Sequence, residues 1–193
     1  MKKQNKSNAF LITIIALVIG LACGGSNRDQ VEEANKTVEQ ANKKLDEAKE
    51  LYAKTESRNK NLFSVNVQTV EQLQYYKSKN TDEAQSIVSD YEKVSAMLKD
   101  VSRQYDDISR MDLNEKYKDY AKLKSDEYVK RAEAVEIRKG NAQAFAEIDN
   151  PKTMLAKFDD NNSKSDRLFK DAEELAAKAK RIEAENKEIF QKA

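Results

Sequence analysis

Residues 32–52 read Glu32-Glu-Ala-Asn-Lys-Thr-Val38, Glu39-Gln-Ala-Asn-Lys-Lys-Leu45 and Asp46-Glu-Ala-Lys-Glu-Leu-Tyr52, three successive seven-residue units. With the preceding valine they set a seam of Val31, Ala34, Val38, Ala41, Leu45, Ala48 and Tyr52, in which steps of four and three alternate without a fault. That spacing returns to one stripe of an α-helix at every turn, and so narrow a stripe is buried by another helix. One row of the seam holds Val, Val, Leu and Tyr; the other is always Ala, which allows a neighbouring helix to approach closely. The fold class that follows is all-α: an elongated antiparallel helical bundle or coiled coil of about four helices.

Composition agrees. Of 193 residues, 36% are charged, one is Pro and four are Gly, so helix breakers are scarce. Acids and bases alternate along the chain, as on solvated helix faces, and no stretch carries the uncancelled positive surface that nucleic-acid binding needs. The chain has no His, which removes the commonest general base and transition-metal ligand. A single Cys excludes an intrachain disulfide. No glycine-rich phosphate loop, serine elbow or metal-ligand cluster is present, and the reading is of a non-enzymatic protein without cofactor or metal.

The N-terminus carries a different signal. Lys2, Lys3 and Lys6 precede an apolar run from Ala9 to Ala22, which ends at Cys23. A positive segment followed by a short apolar one is the pattern of an export signal. The run has 14 residues, a rise of about 21 Å against the roughly 30 Å of a bilayer's hydrocarbon. Gly20-Leu21-Ala22-Cys23 resembles the lipobox of bacterial lipoproteins, with Ala22 and Cys23 flanking the cleavage point. The resemblance implies a signal peptide over 1–22 and a mature chain starting at Cys23, acylated on that residue by palmitate-type chains. It also implies a place in the bacterial envelope, lipid-anchored on the extracytoplasmic side. Gly24 after the cysteine implies the outer membrane in a two-membrane bacterium. Without Lys2, Lys3 and Lys6 the basic residues fall from 35 to 32 against 34 acids, a mature net charge of −2.

Residues 23–26 read as a lipidated tether and 27–193 as the bundle. The first helix is expected over 27–78, capped by Ser26 or Asn27. Leu62-Phe-Ser-Val-Asn-Val-Gln-Thr-Val70 alternates like a strand, but an isolated strand cannot satisfy its backbone, so the segment is read as helix. A turn is expected at 77–81, with Asn80 or Thr81 capping a second helix over 81–110. Its seam is Ala84, Ile87, Tyr91, Val94, Leu98, Val101, Tyr105 and Ile108. Asp112, with Glu115 three residues on, is expected to open a third helix over 112–149. That helix carries Leu113, Tyr117, Tyr120, Ala121, Tyr128, Ala132 and Val135 on one face, interrupted by Lys124, with a weak point at Gly140-Asn141. Asn150-Pro151 is the strongest break and suits the start of a fourth helix, over 151–191, because Pro fits the first helical turn. The fourth seam is read as Leu155, Phe158, Asn162, Ser165, Leu168, Ala172, Leu175, Ala179, Ile182, Asn186 and Ile189.

The repeat in 32–52 resembles the heptads of small alanine-zipper envelope lipoproteins, which are short single helices. Here it predicts a stalk of 27–55 paired with 168–193, its alanines facing Ala172, Ala176 and Ala179. A head of 56–167 would stand above it. Asp159, Asn161 and Ser163 alternate as in a calcium loop, but Lys164 and Lys170 stand where that loop needs Gly and Glu, so no calcium is expected. Tyr75, Tyr76, Tyr120 and Tyr128 are candidates for an interaction surface, since tyrosine is favoured at protein interfaces. The function expected is that of a membrane-anchored, non-catalytic lipoprotein presenting such a surface to a protein or cell-wall partner, with self-association left open. The alternative is a small-ligand carrier with a pocket between head helices.

Overall fold

The computed structural model describes residues 28–190. The signal peptide, Ala22, Cys23, the tether and the expected cap at Ser26 or Asn27 lie outside them. The described residues form α1 (Arg28–Leu62), α2 (Val70–Ser109), α3 (Glu115–Glu147), α4 (Pro151–Glu185) and the short α5 (Lys187–Phe190), with no strand among them.

The four long helices alternate in direction. Lys44 meets Asp100 and Arg58 meets Asp90, so α1 and α2 are antiparallel. Lys122 with Asp106 and Lys139 with Glu92 do the same for α2 and α3. Asn141 with Asn162, and the ring of Tyr117 with that of Phe190, do so for α3 and the α4–α5 arm. The bundle therefore has a base, where α1 and α3 begin, and a tip, where they end.

The first two seams are buried as their spacing requires, from Val31 to Tyr52 on α1 and from Ala84 to Ile108 on α2. The expected apolar face of α3 is buried too. α3 also buries residues on several sides, including Lys124, because it has α2 on one flank and α4 on the other. One core cluster runs from Val31 to Phe190.

Several boundaries differ from the sequence reading. The chain breaks at 63–69, not at 77–81. Thr69 is an extended N-cap whose side chain accepts from the Gln72 N–H, while the Gln72 side chain accepts from the Thr69 N–H. This capping box starts α2 at Val70. Asn80 and Thr81 do not cap; their side chains bond back to the carbonyls of Tyr76 and Lys77, and the helix runs through them. The 62–70 segment is thus neither strand nor continuous helix. α3 is capped by Asn114, which accepts from Lys116 N–H, rather than by Asp112.

Asn150 caps α4 and Pro151 takes its first turn, as the sequence indicates. α3 is unbroken at Gly140, where an added Cβ would meet Asn161 Nδ2 at 3.1 Å; the glycine lets α3 and α4 close together. α4 is unbroken through 159–165, and it ends at Glu185 rather than running on. Its buried face also differs from the expected one. Ser165, Ala172 and Ala179 are buried as expected and Leu168 packs at the edge of the core, but Met154, Asn161 and Phe169 are buried beside them, with Phe169 edge-on against Tyr52, while Leu155 is exposed.

The helices are 35, 40, 33 and 35 residues long, so none projects as a stalk. The α1 alanines are buried with α1 lying against α2, while α1 meets α4 through the Tyr52–Phe169 ring pair and Phe63 of the connection stacks on Phe158 of α4. The expected alanine-to-alanine stalk of α1 and α4 is replaced by one four-helix bundle. The cause is the earlier chain break, which lengthens α2 enough to cover α1 from end to end.

A candidate interaction surface at the tip

At the tip the ends of α1 and α3 meet the starts of α2 and α4. Phe63, released from the helix, stacks on Phe158 at a centroid distance of 4.2 Å and meets Phe145 edge-on at 6.1 Å. Tyr76 packs perpendicular to Phe145 at 5.7 Å. Lys77 reaches across to Asp149 at 2.9 Å and to the carbonyl of Ala146, tying α2 to the end of α3. These contacts make a rigid aromatic floor, since ring pairs in such geometries add to the apolar burial itself.

Above this floor apolar side chains are left open. Val65, Val70, Tyr75 and Leu155 are 45%, 38%, 70% and 41% exposed. They are four of the five large apolar side chains exposed among the described residues; the fifth, Val129, lies midway along α3. Scattered exposed apolar residues are ordinary, but their collection at one end of a bundle is not. Lys79 lies over the Tyr75 ring at 5.8 Å from its centroid.

Of the four tyrosines expected at a surface, Tyr75 is there and Tyr76 is half-buried, its hydroxyl pushed above the usual range by burial. Tyr120 and Tyr128 are buried. Tyr128 stacks on Tyr105 at 5.8 Å and Tyr120 on Tyr117 at 6.0 Å, in the base half. Their hydroxyls are pushed well above the ordinary range, by burial first and then by neighbouring tyrosines and acids. They lie on the apolar face that the helical pattern gives α3, and that face is turned into the bundle. The sequence pattern marks Val65 and Val70 only as part of the alternating 62–70 segment, and it places Leu155 in the buried seam of the fourth helix, where it is instead 41% exposed.

The bundle interior holds charge that the sequence did not mark. Glu127 accepts from Lys124 at 2.6 Å and from Arg131 at 2.8 Å, and the three are 2%, 6% and 2% exposed. Nearer the tip, Arg138 bonds Ser165, Asn162 and Asp166 and lies 3.6 Å from Glu56, which accepts from the Tyr91 hydroxyl. These groups are paired with one another and tie α1, α2, α3 and α4 together. Between α2 and α3 runs an open groove of about 530 Å³, with Ala96, Val129 and Ala132 along it and Lys99, Arg103 and Glu133 at its rim. No protein-family model, curated protein or solved structure matches the chain.

Proposed function

We propose that this chain is a lipid-anchored, non-catalytic lipoprotein of the bacterial envelope that holds its tip toward a protein or cell-wall partner. The anchor rests on the lipobox-like Gly20-Leu21-Ala22-Cys23, separated by four residues from the start of α1 at Arg28. No described helix is long and apolar enough to cross a membrane. Two or more acyl chains on Cys23 would give stable attachment, since one alone holds weakly. The 35 residues of α1 rise about 52 Å, so the tip would stand well clear of the bilayer.

The observation that carries the binding reading is the gathering of Val65, Val70, Tyr75 and Leu155 at the end remote from the start of α1. The test is affinity capture from the cell's own envelope extract, with the chain and with its Val65→Asp/Leu155→Asp variant. A discrete partner retained by the first and lost by the second supports the reading; equal capture by both removes the tip from it. Metabolic labelling with an alkyne fatty acid, abolished by Cys23→Ser, tests the anchor separately. The second reading, a small-ligand carrier, is favoured only by the α2–α3 groove, and saturable binding lost in Val129→Asp would support it.

A further inference from the structure

Val70 and Tyr75, two of the open side chains of the tip, stand on the first turns of α2, and these turns are thinly attached. From Val70 to Glu83 one residue, Leu73, is buried; the next is Ala84. Arg58 of α1 holds Glu83 at 2.7 Å, which fixes α2 from that point on. Before it, the side chains of Ser78, Asn80 and Thr81 bond back to carbonyls of the preceding turn, a pattern that weakens a helix and favours bending. Leu73 and Tyr76 supply the apolar hold, with Tyr76 on the Phe145 ring at 5.7 Å. Apolar burial is non-directional, so it keeps these turns against the bundle without fixing their rotation. Tyr75 is two residues from Leu73, about 200° round the helix, and swings with any roll about that contact.

Among the described residues of 70–82, Lys77 alone carries a polar tie to another helix. Its ammonium donates to the Ala146 carbonyl at 3.2 Å and to Asp149 at 2.9 Å. The Lys77 side chain is 12% exposed, so the bond to the carbonyl is made largely away from water. Ala146 stands in the last turn of α3, where carbonyls have no partner within the helix and where a cation suits the negative end of the helix dipole. Asp149 directly precedes Asn150, the cap of α4, and Leu155 sits in the second turn of that helix. One side chain therefore refers the start of α2 to both the end of α3 and the start of α4.

We propose that Lys77 is a positioning residue of the tip: it fixes the rotation of the first turns of α2, and with it the place of Val70 and Tyr75 relative to Leu155. Two directed hydrogen bonds from one ammonium set an angle, which the apolar contacts of Leu73 and Tyr76 do not. The part Lys77 plays in partner binding rests on the tip being the binding surface; the part it plays in the geometry of the tip does not.

The test uses the full chain with Cys23→Ser and spin labels at Gln74→Cys and Lys152→Cys, both exposed positions. Electron–electron double resonance should give one narrow distance distribution between them. Lys77→Met keeps the stem and removes the donors, and the distribution should widen at least twofold. Lys77→Arg keeps the charge and the donors and should restore the narrow distribution. Lys44→Met breaks the Lys44–Asp100 pair farther from the tip and should leave it unchanged. In cells, with Cys23 intact, the adduct from a photoreactive residue at position 155 should fall at least fivefold in Lys77→Met and return in Lys77→Arg. An unchanged distribution in Lys77→Met, or equal widening in Lys44→Met, overturns the proposal. A widened distribution with an undiminished adduct overturns the part played in binding. No adduct from the otherwise unchanged chain would sink the binding reading of the tip, while the distance measurement still decides the role of Lys77.

Discussion

Glu127→Ala should be among the most destabilising single changes in this bundle. Glu127 is 2% exposed and is the carboxylate shared by Lys124 at 2.6 Å and Arg131 at 2.8 Å, themselves 6% and 2% exposed. Removing it leaves two buried cations without their common anion. Breaking a buried pair by deleting one member costs about 3–5 kcal/mol, mostly the penalty of the charge left behind. Against a total stability of about 5–15 kcal/mol this is a large share. At about 2–4 °C per kcal/mol for a chain of this size, the melting point should fall by roughly 6–20 °C. Urea titration followed by circular dichroism at the helix band reads the change directly. The compensated variant Lys124→Met/Glu127→Leu/Arg131→Met should instead be neutral or gain about 1–4 kcal/mol, because a buried ion cluster seldom outperforms good apolar packing. A loss under about 1 kcal/mol in Glu127→Ala would refute the burial and pairing of this cluster.

Other expectations are smaller. Thr69→Ala removes the capping box that starts α2 and should lower stability by about 1 kcal/mol, with the loss confined by hydrogen exchange to the first turn. Glu136 is pushed up by burial, but Lys139 at 2.9 Å and Lys99 at 3.1 Å outweigh this and hold its carboxyl down at about 2. A depressed carboxylate stabilises the fold above its unfolded value near 4.5, and that contribution is lost as pH falls from there toward 2. Glu136→Gln should flatten the stability profile over this window in acid titration. Tyr75→Ala should leave urea stability within about 0.5 kcal/mol, as surface changes do, while weakening partner capture.

Where periodicity was unbroken, sequence reading was enough. The α1 and α2 seams show this: each apolar residue has one neighbouring helix to satisfy, so spacing alone decides what is buried. It failed where local polar chemistry competes with periodicity. Asn80 and Thr81 look like caps, yet their side chains bond the preceding turn. The true start of α2 depends on Thr69 and Gln72, a pairing hidden inside a strand-like stretch. It failed again where a helix has several neighbours. α3 buries Glu127 and Arg131 outside its apolar face, on sides that a helix with one neighbour would leave wet. Phe169 packs on Tyr52, a residue more than a hundred positions away in the chain. The tip was legible only in outline: Tyr75 stood out by residue type, whereas Val65 and Leu155 emerge only once four helix ends are brought together.

The central claim, a tip that binds from the end of an anchored bundle, is tested most directly by site-specific photo-crosslinking in intact cells. A photoreactive residue would replace Val65, Tyr75 or Leu155 at the tip, with Lys178 on the exposed side of α4 as control. The same discrete adduct should form from all three tip positions and not from Lys178, and it should diminish when Cys23→Ser releases the chain from the membrane. Adducts of equal yield from Lys178 and the tip, or none from the tip, would contradict it.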